Sequence, residues 1–320
     1  MSPPYKLNSE IVTYVSQISE KLGKIQAAHL HKSSPKLRKK NRIRTIQSTL
    51  AIEGNTLSED QITAIFENKR VLGPKKDIQE VKNAIEAYSR LTEFNPYTHE
   101  SFLQAHAILM TGLIQQKGKY RSEQVGIMRG NVIAHLPPPS IRVYPLMGDL
   151  FTFVKEAGEL MLIKSCVFHY EMEFIHPFMD GNGRMGRLWQ TLLLMQVNPV
   201  FEYLPLESLI KEKQEEYYEA LSRSDKSGSS TIFITYMLHI IHEALTVLLN
   251  HPFPRLDGAG RMEVYREIIG KKEFSRKDYM AHFKEISTST ASRDLIQAVE
   301  KGILRRKGEK RLTKYQFLET

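Results

Sequence analysis

The sequence predicts an all-α protein with a small β-hairpin in its middle and a winged helix-turn-helix at its C-terminal end. Three observations lead there. Apolar residues recur at helical spacing from about residue 8 to about 250. The stretch Tyr120 to Pro145 breaks that rhythm with Gly126, Gly130 and Pro137-Pro138-Pro139, so a short hairpin with a stiff triproline return fits better than a helix. Beyond HPFPRLDGAG (251–260), a linker by composition, the remaining chain reads as three helices followed by two short strands, the order of a winged helix.

Taken in order, the first helix covers 8–30, with Ile11, Val15, Ile18, Leu22 and Ile25 on one face. A second runs from about Lys36 to Ile52 and stops at Gly54-Asn55, an ordinary C-terminal signal. Further helices are expected at 58–68, 76–92, 98–116, 146–170, 184–196, 206–222 and 230–250. In the last block helices fit 261–270, 275–283 and 288–301, and strands flank Lys307-Gly308-Glu309. Leu295, Val299 and Ile303 form an inward stripe; Ser292, Arg293 and Gln297 lie outside it, and Arg305, Arg306, Lys310 and Arg311 dress the wing. The expected divisions are 1–95, 96–252 and 258–320.

Composition sets the outer limits. The chain has 320 residues, 41% hydrophobic and 25% charged, which excludes disorder, collagen and coiled coil as descriptions of the whole. Its single cysteine, Cys166, excludes a disulfide framework or a Cys-rich zinc site and fits a reducing compartment. The opening MSPPYKLNSE has no apolar segment of a secretory signal. The most apolar stretch, 231–249, carries His239, His242 and Glu243 and reads as a buried helix rather than a membrane span. A cytoplasmic protein with no membrane association is expected.

The net charge of +9 is uneven. Residues 31–44 hold seven Lys/Arg and no acid, and 258–320 hold 15 basic and 9 acidic residues. Such regions can bind nucleic acid or phosphates, or can be solvated helix faces.

The densest chemistry lies in FIHPFMDGNGRMGRLWQTLLLMQ (174–196). An apolar run ends at His176-Pro177, and Gly181-Asn182-Gly183 makes a turn before a helix that packs Met185, Leu188, Trp189, Leu192 and Leu193. The turn therefore sits on a helix N-terminus, where free N–H groups and the dipole attract anions. Arg184 and Arg187, three apart on one face, oppose that dipole and call for an anion. Asp180 is an oxygen ligand suited to Mg²⁺, and His176 can take a proton near neutral pH. Base, metal ligand, anion hole and paired arginines are the equipment for breaking a phosphoanhydride.

HPFMDGNGRMGR (176–187) resembles the Fic signature, His-x-Phe-x-Asp/Glu-Gly-Asn-Gly-Arg-x-x-Arg, at every specified position. The resemblance extends more loosely over 40–225. It implies a Fic-fold helical core and transfer of AMP from ATP to a Tyr, Thr or Ser hydroxyl of a target protein. On the matching positions it implies His176 as the base and Asp180 as the Mg²⁺ ligand on the α- and β-phosphates. Gly181, Asn182 and Gly183 become the anion hole, and Arg184 and Arg187 the grip on the β- and γ-phosphates. It places a target-docking flap at Val132, Ile133, Ala134 and His135, joined by β-addition, and an aromatic pair, Tyr217 and Tyr218, beside the adenine. Phe178 is expected to anchor the loop by packing and His169 to be a structural neighbour.

On the second helix Ile43, Ile46 and Leu50 form an apolar stripe that Glu53 continues. A carboxylate on a buried face at a helix C-terminus needs a cation, and Arg187 or Arg184 would supply it. Thr49-Leu-Ala-Ile-Glu53-Gly54 also resembles the Fic inhibitory motif, Ser/Thr-x-x-x-Glu-Gly/Asn. That resemblance implies an inhibitory helix at about 36–54, whose Glu53 pairs with the second signature arginine and blocks productive γ-phosphate binding.

The leading expectation is an autoinhibited protein adenylyltransferase with ATP and Mg²⁺. The alternatives are removal of AMP by the same site and a nucleotide-sensing DNA-binding regulator. DNA is a candidate partner of 258–320, and self-modification and a homodimer are both admitted.

Overall fold

The computed structural model describes residues 3–27, 35–129, 132–250, 257–284, 286–309 and 313–318. The described residues form an all-α protein with 14 α-helices and two short antiparallel strand pairs. The chain divides into two compact units, Met1–Ala28 with Lys40–His251, and His29–Lys39 with Pro252–Thr320. Helix α1 (Ser9–Ala27) packs along α11 (Thr231–Asn250). Helix α11 is long and apolar enough to cross a membrane, and half of that span is buried inside the fold.

Helix α2 (Pro35–Ile52) buries Ile43, Ile46 and Leu50, all in the larger unit. Two residues of the basic run 31–44 meet acids, Arg42 with Glu202 at 2.6 Å and Arg44 with Glu59 at 3.8 Å, which dilutes that run as an anion surface. Next come α3 (Glu59–Phe66), capped by a Ser58–Gln61 capping box, α4 (Lys75–Ser89) and α5 (His99–Leu109). Helix α5 stops well short of the expected residue 116, where Gly112 turns the chain with positive φ just past its C-cap Met110.

The hairpin pairs β1 (Ile127–Arg129) with β2 (Val132–His135), with Met128 opposite Ile133. The one helix expected at 146–170 is two, α6 (Ser140–Glu156) and α7 (Met161–Ile175). The triproline is the lead into α6, with Pro139 at its N-cap, so the hairpin region ends at Ser140 rather than Pro145. Pro145 lies within α6; the carbonyl its missing N–H leaves unpaired belongs to Ile141, an 84% exposed residue where water can serve it. Helix α8 (Asn182–Met195) packs along α7 at the centre of the core, with Trp189, Leu188 and Leu193 fully buried. The helix expected at 206–222 is also two, α9 (Leu206–Glu212) and α10 (Gln214–Ser227).

The smaller unit contains α12 (Gly258–Ile269), α13 (Arg276–His282), α14 (Thr288–Glu300) and the antiparallel pair β3 (Leu304–Lys307) and β4 (Lys314–Phe317). Gly258–Gly260 belong to α12, capped by the Asp257 side chain, rather than to the expected linker; residues 251–256 lie outside the described residues. The core is aromatic, with Tyr265, Phe274, Tyr279 and Phe283 around Leu295. Asp294, buried among them, accepts two bonds from Arg261 (2.7 and 3.0 Å) and one from the Tyr279 hydroxyl (3.0 Å), so its charge is fully partnered. Arg293, Gln297, Arg305 and Arg306 are exposed, while Lys310 and Arg311 lie outside the described residues.

Candidate active site

The loop between α7 and α8 is fixed by its own side chains. His176 caps α7 in the left-handed region, φ 48° and ψ 62°, and Pro177 prevents the helix from continuing. Asn182 closes the loop: its Oδ1 accepts from the Phe178 N–H and its Nδ2 donates to the Phe178 carbonyl, both at 2.9 Å. These two bonds leave the Asn182 amide one further N–H donor. Phe178 is fully buried and stacks on His106, ring centroids 3.6 Å apart. His106 Nδ1 accepts from the Gly118 N–H (2.9 Å), so Nε2 carries the proton and donates to the Asp180 carbonyl (3.0 Å). Burial holds the His106 pKa down to about 4, and the ring is neutral. Gly181 has φ 86°, and a Cβ there would lie 2.7 Å from Met110 Sδ.

Two buried arginines rise from the first turns of α8, each with an acid from an upstream helix. Arg184 donates to Asp180 Oδ1 (2.9 Å) and to Glu80 Oε1 on α4 (3.1 Å). Glu80 is itself held by Asn55 Nδ2 (2.8 Å), just beyond α2. Arg187 donates through Nε to Thr49 Oγ1 (2.8 Å), and through Nη2 to the Thr49 carbonyl (3.1 Å) and Glu53 Oε1 (2.6 Å). Of the two arginines weighed as partners for Glu53, the structure brings it to Arg187. Burial works against the Arg187 charge, but Glu53 more than offsets it, and the pKa lies above the usual arginine value. Glu53 follows the last residue of α2, and its side chain is 30% exposed rather than buried as its stripe suggested. Gly183 lets this pair form: a Cβ there would lie 2.5 Å from Glu53 Oε1.

A cavity of about 490 Å³ gathers His176, Gly183, Arg187, Glu53, Tyr217 and Tyr218 on its walls, along with Glu173, His135 and Asp225. Asp180, Gly181, Asn182 and Arg184 lie outside that lining. Burial lowers the His176 pKa to about 4, so its ring is neutral, and its Nδ1 is buried without a hydrogen-bond partner. Tyr217 is 2% exposed; its hydroxyl meets His169 Nε2 at 3.1 Å, and His169 Nδ1 meets Gln190 Oε1 at 2.6 Å. Tyr217 is thus as much a core residue as a wall, and His169 is its structural partner. His135 Nε2 lies 2.8 Å from the Phe174 carbonyl and Nδ1 lies 3.0 Å from Asp225 Oδ2. Both partners only accept, so the ring carries both protons. The backbone of Val132–Ala134 forms the expected strand.

Four residues here were not singled out from the sequence. Glu80 lies on the apolar stripe of α4, four residues before Ala84, the same signal that exposed Glu53. Arg121 donates to four backbone carbonyls, including that of His176; nothing in its neighbouring sequence marks it. Asp225 accepts from Tyr170 as well as meeting His135. Burial raises the Glu173 pKa to about 7, and its Oε1 has no hydrogen-bond partner.

Among the described residues no three His, Cys, Asp or Glu side chains converge as a metal site. Magnesium does not need one, since it binds through one or two carboxylates plus phosphates and water. The half-exposed Asp180 carboxylate, with only Oδ1 held by the Gly181 N–H and Arg184, fits that donor chemistry.

The profile of the Fic/DOC family matches residues 96–194. A crystal structure of a Fic family protein from Desulfovibrio desulfuricans G20 is 38% identical, covers 100% of this chain and 99% of its own, and superposes with a TM-score of 0.75. Fic-1 from C. elegans shares the fold at 19% identity, with 75% of this chain and 72% of that one covered and a TM-score of 0.62. Among curated relatives, a protein adenylyltransferase Fic from Nematostella vectensis is 25% identical over 260 residues, 76% of this chain and 57% of its own. A protein adenylyltransferase fic-1 from Caenorhabditis briggsae is 28% identical over 205 residues, 60% of this chain and 38% of its own. This chain thus spans about half the length of the curated relatives it matches.

Proposed function

The chain belongs to the Fic family, and from that premise we propose that it transfers AMP from ATP to a hydroxyl of a target protein and is restrained by Glu53. The carrying observation is that His176, Gly183, Arg187 and Glu53 share one cavity, with the α8 N-terminus behind them. In this reading the target hydroxyl attacks the α-phosphorus, the bond to the β-phosphate oxygen breaks, and pyrophosphate leaves. A neutral His176 takes the hydroxyl proton; its depressed pKa keeps it free to accept one at neutral pH. Backbone N–H groups of Asn182 and Gly183 receive the anion, with Gly181 supplying the turn before them, and Arg184 and Arg187 hold the outer phosphates. Asp180 would hold Mg²⁺, which supplies charge neutralisation on the phosphates. Tyr217 and Tyr218 border the base, and β2 offers an edge to the target backbone.

The restraint is a competition. The Arg187 fork fits one carboxylate or one phosphate at a time, and Glu53 holds it in this structure. Removal of AMP is the second reading, because Glu53 stands in the same cavity as His176, where it can orient a water.

The test is labelled ATP with the wild-type chain, Glu53→Gly, and Glu53→Gly with His176→Ala. The proposal expects label on protein to increase with the first substitution and to fall about 10²–10⁴-fold with the second, while Mg²⁺-ATP still binds. Label transfer that survives loss of His176 would refute the base. A lowered rate of AMP removal in Glu53→Gly would favour the second reading.

A further inference from the structure

Arg121 is 3% exposed, yet each of its side-chain bonds goes to a backbone carbonyl. Nε donates to the His176 carbonyl (2.8 Å) and Nη2 to those of Ile175 (3.3 Å) and Pro138. Nη1 donates to the Glu123 carbonyl (2.9 Å), and the Arg121 backbone N–H reaches the Pro177 carbonyl (2.8 Å). A buried guanidinium without an acid is costly. Here the C-terminus of α7 supplies the compensating negative dipole and unpaired carbonyls. Burial lowers the Arg121 pKa, and no carboxylate acts against that shift.

The carbonyls it gathers come from two places, which His135 also joins one residue earlier on α7 through its bond to the Phe174 carbonyl. Ile175, His176 and Pro177 form the turn that carries the base. Glu123 and Pro138 are the two sides of the stem below the β1–β2 hairpin, and Gln124 Nε2 reinforces the stem by donating to the Pro137 carbonyl (3.0 Å). His176 itself is left-handed, a conformation that persists only where neighbours over-determine it.

We propose that Arg121 is a positioning residue that holds the His176 turn and the stem of the hairpin at one fixed spacing, so that a hydroxyl presented by the hairpin edge meets the base in line. This rests on the AMP-transfer reading. It adds a dependence of chemistry on a side chain that touches neither nucleotide nor target.

Arg121→Lys keeps charge and stem but cannot span four carbonyls; Arg121→Gln is the second variant. Both are made in the Glu53→Gly background and read in two ways. Steady-state transfer should show kcat falling about 10- to 100-fold, with ATP affinity within twofold. NMR titration of His176 in Arg121→Lys, which keeps the positive charge that helps hold the midpoint down to about 4, should show that midpoint moving up toward the ordinary histidine range as the ring gains water. Any of three results overturns the proposal: an unmoved midpoint in Arg121→Lys, a kcat within twofold of the parent, or a parallel loss of ATP affinity and kcat. If the Glu53→Gly parent transfers nothing, the AMP-transfer reading fails, and the His176 titration alone decides whether Arg121 sets the turn.

Discussion

Arg184 and Glu80 form a buried ion pair at 3.1 Å, each side chain 5% exposed. Arg90 and Glu93 form a closer pair, 2.7 Å, on the surface. Burial decides their worth, because a partnerless buried charge has no water to fall back on, whereas exposed pairs contribute at most about 1 kcal/mol. Glu80→Gln should therefore cost about 1–3 kcal/mol of stability in urea denaturation, and Glu93→Gln less than about 0.5 kcal/mol; equal effects would contradict the assignment. Gly181→Ala should cost a similar ~1–3 kcal/mol, because a left-handed backbone is strained for alanine and Met110 already fills the space of a Cβ. At this scale the sequence was most legible where types and spacing carry chemistry, as in 176–187. It was mute where meaning comes from burial alone. Arg121 sits in a non-periodic segment, so no face could be assigned to it; that the Asn182 side chain closes the loop on Phe178 shows only in the structure.

The β1–β2 hairpin is fastened at its base by His135. Burial opposes the imidazolium, but the Asp225 carboxylate and the Phe174 carbonyl outweigh it and raise the pKa. Glu173 adds to the attraction; Glu171 and Tyr170 lie near Asp225, and His176 feels the His135 charge. A raised histidine pKa gives a latch that is complete below the unfolded value, about 6.5, and is lost as pH rises through the folded value. Amide exchange of the hairpin, corrected for intrinsic pH dependence, should accelerate over that rise; Asp225→Asn should move the onset to lower pH. A flat profile would contradict the doubly bonded imidazolium. Helix positions were legible from apolar period, and helix ends less so. The segments 146–170 and 206–222 each divide at places where apolar periodicity continues across the break, so period alone could not show it.

Across the whole molecule, the larger unit carries the candidate active site. The smaller unit has three helices and an antiparallel strand pair, with Arg293, Arg305 and Arg306 exposed on its surface. If that surface meets DNA, the full chain should shift a duplex at low salt and release it as salt rises, with binding reduced by Arg305→Ala with Arg306→Ala; no shift at low salt would leave protein docking as its role. The all-α class and the central hairpin were legible because each leaves a period or a composition behind. The joining of the first helix to the core was not, because α1 meets α11 across more than 200 residues of chain. The contest for Arg187 is tested most directly by the rate of AMP transfer in wild type, Glu53→Gly, Arg187→Ala and the double variant at a single ATP concentration. Competition between Glu53 and the γ-phosphate predicts a rise in Glu53→Gly and rates below wild type in both variants lacking Arg187, whether or not Glu53 is present. A Glu53→Gly rate at or below wild type, or a double variant as fast as Glu53→Gly alone, would contradict it.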